Sequence, residues 1–424
     1  MSFKHLLEKY KKGKATKDEI KLVEQELEKF EAIEDYYTEN FLSLANSKDE
    51  EDKFDEKDNK KINSYEENNT IKETKNTLSM NINKLVNQRL RKVVFTAVII
   101  VVILYTSIFF VLSPLVGMFF YNPSETSMGE DSPDIKFDFK ALSELNVPGV
   151  NMAGINYVES EGFGNYSISY SKHDPFIDEM DSQTIKLKQG DFIGTLEGIG
   201  PSSHSFGFEV VKNPSLYEQG VYENQPEKMM EHLESLSPVS YVSVYLTFEE
   251  DMDLKEFAKM KLELEDLDIQ WAGVRTHDDH NKDKSHGNNR NYLTGFNPNI
   301  TGSISDARPN PDKYPLFQLV DATKEPRDSG PESWAEIYET HYRSLLKYMT
   351  DREDFIKALD YDPGKVEYYE HALNYIDKNG VNVFGVLVYG EAQELLEFAE
   401  EHDLLSLQLE QALPSRPNLQ KPIE

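Results

Sequence analysis

Apolar positions near the amino terminus recur every three or four residues against a Lys- and Glu-rich background. Phe3, Leu6, Leu7 and Tyr10 predict a short amphipathic helix that Gly13 can end. Thr16 and Glu19 then form a capping-box pattern. Ile20, Val23, Leu27, Phe30, Tyr37, Phe41 and Leu44 continue a stripe broken only by Glu34, which predicts a second helix. A helical pair of about 45 residues buries too little apolar surface to be stable without help. The stripe needs a cover, and three are open: a groove on another protein, a coiled coil with a second copy, or closure of the hairpin on itself.

Residues 46–80 are mainly Lys, Glu, Asp and Asn, a composition that cannot sustain a core and that reads as a flexible tether. As a random coil it would span on the order of 30 Å. Lys84, Arg89, Arg91 and Lys92 follow, and Val93–Tyr121 then runs without a charge. That exceeds the roughly 20 apolar residues that a helix needs to cross a bilayer. A cleavable signal peptide would not begin so far into the chain or lack a small-residue cleavage site. Pro114 and Gly117 weaken the last turns, and Phe119, Phe120 and Tyr121 read as an aromatic belt at the far interface. The first charges beyond it are Glu125, Glu130 and Asp131, so the basic flank predicts a cytoplasmic amino terminus.

Past the span, Tyr166–Tyr170 and Thr184–Lys188 read as strands. Val239–Phe248 alternates as a strand, Leu254–Leu262 has helical spacing, and Leu267–Val274 is strand again. The same order returns in Val381–Tyr389, Ala392–Glu401 and Leu404–Leu409, with helices predicted near Trp334–Tyr348 and Lys365–Asp377 between the two units. The fold class expected is a single-pass membrane protein. It comprises an α-helical hairpin over 1–45, a charged linker over 46–92, a transmembrane helix over 93–120, and a carboxy-terminal α/β (α+β) extracytoplasmic domain over 121–424 with two βαβ-like units, which suggest an α/β sandwich comparable to a split-βαβ fold with its strand order left open.

Charge sharpens this division. The net charge of -31 is spread as -5 over residues 1–80, +4 over 81–120 and -30 over the rest, which disfavours nucleic acid as a direct ligand and favours a protein partner. The chain has no cysteine, so disulfides, thiolate metal sites and thiol nucleophiles are excluded. His204 lies among Ser202, Ser203 and Ser205 without a nucleophile elbow. The loop with His277, Asp278, Asp279, His280 and His286 lacks zinc-ligand spacing, and Asp174–Asp181 lacks the spacing of a calcium loop. No catalytic residue, metal or cofactor is expected.

The opening segment FKHLLEKYKKGKATKDEIKLVEQELEKFEAIEDY, the basic LRK before the span, FFYNP after it, and VSYVSVYLTFEEDMDLKEFAKM, IQWAGVRT and GFNPNITG resemble the membrane-bound regulators of extracytoplasmic-function sigma factors of low-GC Gram-positive bacteria. The resemblance implies an anti-sigma factor in the cell membrane. Its cytoplasmic helices would occlude a sigma factor until the outer domain reads an envelope signal, with a second membrane regulator or a membrane protease as further partners. Sigma-factor binding then falls to Phe3, Leu6, Leu7, Tyr10, Ile20, Val23, Leu27 and Phe30, and orientation to Lys84, Arg89, Arg91 and Lys92. Two other classes stay open: a self-associating membrane sensor or scaffold, and a surface enzyme.

The absence of native cysteine makes topology testable by single replacements. On intact cells a membrane-impermeant maleimide should label a Ser237→Cys protein and spare a Ser64→Cys protein; the reverse pattern would refute the orientation.

Overall fold

The computed structural model describes residues 15, 16, 20, 21, 23, 89–129, 132–194, 196, 199, 207, 208, 211, 224–264, 266–277, 293–324, 330–359 and 365–417. The chain divides into two compact units, Met1–Val94 and Phe95–Glu424. In the first unit the Ile20 amide donates to the Thr16 carbonyl at 2.9 Å, Ile20 and Val23 are helical, and Val23 is fully buried. Phe3, Leu6, Leu7, Tyr10, Leu27, Phe30, Lys84 and the tether expected over 46–80 lie outside the described residues.

Helix α1, Arg89–Gly117, is 29 residues long and apolar enough to cross a membrane. Arg89, Arg91 and Lys92 occupy its first turn. Val101 is 65% exposed and Phe110 78%, which suits a lipid surround rather than a protein core.

Helix α2, Asp134–Asn146, leads into a four-stranded antiparallel meander of β1 (Asn151–Gly162), β2 (Asn165–Asp174), β3 (Glu179–Lys188) and β4 (Asp191–Ile193). Gly162 pairs with Asn165, leaving Phe163 and Gly164 as turn residues with φ of 55° and 76°. Lys188 pairs with Asp191, leaving Gln189 and Gly190 at 50° and 93°. Positive φ at both central positions is the requirement of a type I′ turn, whose twist matches the flanking strands.

After α3 (Gln225–Glu234) come β5 (Tyr241–Asp253), α4 (Leu254–Glu263), β6 (Asp268–Val274) and β7 (Thr294–Phe296). Helices α5 (Pro331–Thr350), α6 (Glu353–Ala358) and α7 (Lys365–Asn379) follow, then β8 (Asn382–Glu391), α8 (Ala392–Glu400) and β9 (Leu404–Leu413). The sheet order is β7-β6-β8-β5-β9, with every neighbouring pair antiparallel. Each βαβ unit thus holds its two strands parallel with a strand of the other unit inserted between them, the split-βαβ arrangement expected from the repeated pattern. The Asp253 carboxylate starts α4 by accepting the Lys255 and Glu256 amides at 2.9 and 2.8 Å.

Alternation along β5 divides the interior. Val242, Val244, Leu246 and Phe248 join the larger core with Phe257 of α4, Leu345 of α5 and Leu395 of α8. Tyr241 and Tyr245 face a second, aromatic core with Phe208, Trp271, Phe384 and Tyr389. Phe176, in the β2–β3 turn, stacks on Tyr241 with ring centroids 5.2 Å apart and so ties the meander to the larger sheet.

Several elements differ from expectation. Val239–Ser240 precede β5, which begins at Tyr241. The expectation had no counterpart for α2, because IKFDFKAL alternates apolar and charged residues as a strand would, while Asp134 and Asp138 are both fully buried. β1 has register shifts at three places, and β4 and β7 have three residues each, too short for a periodicity. Phe257 is fully buried against Phe296 and Tyr338, so Phe257→Ala should destabilise the domain by about 3–5 kcal/mol, read from its thermal unfolding.

Candidate functional site

The carboxy-terminal end of α1 is the best-defined functional candidate because it docks on the domain that follows. Residues Ile108–Leu112 form a π-helical segment, and Ser113–Gly117 resume α-helix with Pro114 in the first turn. π-Helical turns inside α-helices are frequent at functional sites. The Ser113 hydroxyl, 8% exposed, accepts the Phe163 amide at 2.7 Å. The Phe109 ring meets the Phe163 ring edge-on at 6.3 Å. Phe120 lies over both hairpin turns: a Cβ at Gly164 would stand 2.8 Å from its Cδ2, and one at Gly190 3.4 Å from its Cδ1. The two glycines thus supply positive φ and clearance for one aromatic ring.

Tyr121 continues the connection inward. Its hydroxyl donates to Asp138 Oδ2 at 2.6 Å, and the Tyr348 hydroxyl donates to Asp138 Oδ1 at 2.8 Å. Arg352, just before α6, forms a two-pronged contact with Asp138 at 2.7 and 2.9 Å and reaches Asp134 at 3.3 Å. Asp134 also accepts the Ser127 hydroxyl at 2.6 Å and the Met128 amide at 2.9 Å. Asp134 and Asp138 are four residues apart on α2, so both present to one guanidinium. Burial pushes the Asp138 carboxyl above its ordinary range, with Arg352 and the two tyrosines pulling the other way. Nothing in this arrangement supplies a nucleophile or an open coordination position. Its chemistry is that of a charged clamp holding residues 121–128 against α2 and α5.

A second buried pair lies further along α2. His341 Nε2 contacts Glu144 Oε1 at 2.7 Å, and His341 Nδ1 donates to the Leu316 carbonyl at 2.7 Å. The Glu144 carbonyl also accepts the Trp271 indole N–H at 2.8 Å. Burial alone would raise the Glu144 carboxyl, but His341 and Lys140 hold it below its usual range.

Among the described residues, no group of three or more His, Asp or Glu could hold a metal ion. His204, Asp278, Asp279, His280 and His286 lie outside the described residues, and Asp174 and Asp178 belong to the β2–β3 hairpin. Of the residues expected to bind a sigma factor, only Ile20 and Val23 are described. Tyr121, Asp138 and Arg352 were not foreseen as a group, because sequence spacing says nothing of contacts 17 and 214 residues apart.

Residues 233–411 match the family model of the sigma factor regulator C-terminal domain. The match runs from the end of α3 into β9 and so takes in all but the last two residues of the five-stranded sheet, with its helices. It supports a family of sigma factor regulators, a regulatory rather than an enzymatic one. Neither a curated protein nor a solved structure matches the chain.

Arg352→Met leaves two buried carboxylates without their cation and should destabilise the domain by about 3–5 kcal/mol, whereas Tyr121→Phe should cost about 1–3 kcal/mol. Thermal melts of both variants check the ranking. Because the Glu144 pKa is lowered on folding, its contribution is complete above the ordinary carboxylate range and is lost as pH falls through the folded value. Glu144→Gln should therefore lower the unfolding midpoint near neutrality and flatten its decline in acid.

Proposed function

We propose that this chain is a membrane-anchored anti-sigma factor. Its amino-terminal helices hold an extracytoplasmic-function sigma factor at the inner face of the cell membrane, and its carboxy-terminal domain releases the factor on envelope stress. The match of residues 233–411 to a sigma factor regulator domain carries this reading. It is supported by the 29-residue apolar helix and by an amino-terminal stripe that needs a cover. Binding is assigned to Phe3, Leu6, Leu7, Tyr10, Ile20, Val23, Leu27 and Phe30. Of these residues, Val23 is fully buried.

If release uses a membrane protease, cutting near Pro114 and Gly117 requires the β1–β2 turn to lift first, since Ser113 is bonded to Phe163 and Gly117 lies against Gly164. Fully burying each large apolar side chain stabilises a complex by roughly 1.5–3 kcal/mol. In the full-length protein, Leu27→Glu with Phe30→Glu should weaken sigma-factor binding by about 100-fold or more and derepress a reporter under its promoter. A double variant that still captures and represses the factor refutes the stripe assignment. Capture of a second copy with no sigma factor favours the self-associating sensor instead.

A further inference from the structure

Lys136, Lys140 and Glu144 recur every four residues and give α2 a polar stripe along a cavity of about 530 Å³. The cavity is lined also by β1 and by residues of the segment that follows β7. This volume falls in the usual small-molecule range of roughly 300–1,000 Å³. Gln318, at its wall, is 3% exposed. Its Nε2 donates to the Ala307 carbonyl at 3.0 Å, while its Oε1 has no donor among the described residues. A buried acceptor left unpaired is destabilising, so this oxygen marks where a ligand's donor is wanted.

The groups around it converge. Gly302, with φ of 84°, lies where these groups meet. A Cβ there would lie 3.0 Å from Asp306 Oδ2, 3.6 Å from Gln318 Oε1 and 4.0 Å from Lys140 Nζ. Lys140 has no hydrogen bond or ion pair among the described residues, and Glu144, Asp306 and Asp321 act on it only at longer range. Burial lowers its pKa, with Glu144 and Asp306 offsetting part of the effect.

The mixture of charges selects the ligand class. A simple anion drawn to Lys136 and Lys140 would meet the carboxylates of Glu144 and Asp306, and a simple cation would meet the two lysines. A hydroxyl satisfies both sides, since it donates to an amide or carboxylate oxygen while accepting from an ammonium. Several hydroxyls on one ring would repeat this along the polar stripe. We propose that the cavity binds a neutral saccharide of one or two rings, one hydroxyl of which donates to Gln318 and accepts from Lys140. A ligand there would touch α2, the meander and the segment after β7 together. The inference goes beyond the anti-sigma reading and is tested without a sigma factor.

The chain's two tryptophans, Trp271 and Trp334, both belong to the carboxy-terminal domain and report its unfolding in the full-length, detergent-solubilised protein. Unfolding midpoints would be measured with glucose, N-acetylglucosamine, cellobiose and chitobiose at millimolar concentration, beside inorganic phosphate and glycine betaine. At least one saccharide should raise the midpoint by roughly 3 °C. Lys140→Met and Gln318→Leu should each abolish that rise, and Lys140→Met should not lower the starting midpoint because it removes a desolvated charge. If it does lower it, Gln318→Leu carries the comparison. No rise with any of the four sugars, a rise with phosphate or betaine alone, or a sugar effect that survives Gln318→Leu overturns the proposal.

Discussion

Asp134 and Asp138 have no solvent exposure, and the guanidinium of Arg352 is the cation that both of them face. Removing charges from water costs several kcal/mol each, and their attraction offsets this only when the remaining oxygens are also hydrogen-bonded. Here they are: Tyr121 and Tyr348 serve Asp138, while Ser127 and the Met128 amide serve Asp134. The pair therefore requires four separate stretches of chain to stay in place. Residues 121–128 come from the exit of α1, the carboxylates from α2, Tyr348 from α5, and Arg352 from the turn that leads into α6.

From this requirement the junction gains its stiffness. Ser113 and Phe120 contact the two type I′ turns of the meander, and Tyr121, one residue on, enters the ion cluster. The meander in turn sends Phe176 onto Tyr241 and Tyr389 of the five-stranded sheet. A displacement of either sheet thus has a packed path to the end of α1, with the π-helical turn at Ile108–Leu112 lying one segment further into the helix. A π-helical turn next to a docked hairpin is a physical locus for two discrete arrangements.

The split-βαβ sheet was legible because its strands are buried on one apolar face and one aromatic face, and its helices have one apolar side. Both patterns survive as periodicity in VSYVSVYLTF, LKEFAKMKL and VNVFGVLVY. The meander was only half legible. β2 and β3 alternate cleanly, but β1 shifts register three times, and each shift breaks the period of two. α2 was hidden for a different reason. Its buried Asp134 and Asp138 occupy positions that periodicity assigns to solvent, while Lys136, Lys140 and Glu144 form a half-exposed side.

Local order, by itself, determined the uncharged helix, its basic flank, the amphipathic stripe at the amino terminus and the two βαβ units. These depend on residues within a turn or two of one another, and neighbours in sequence suffice to specify them. The Asp138–Arg352–Tyr121 clamp, the docking of Phe120 on two glycines and the convergence of Lys140, Asp306 and Gln318 were decided only by tertiary structure. Their partners are far apart along the chain, and charge paired across such a distance leaves no periodic trace. A buried ion reads in sequence like any surface residue until the fold shows what stands opposite it.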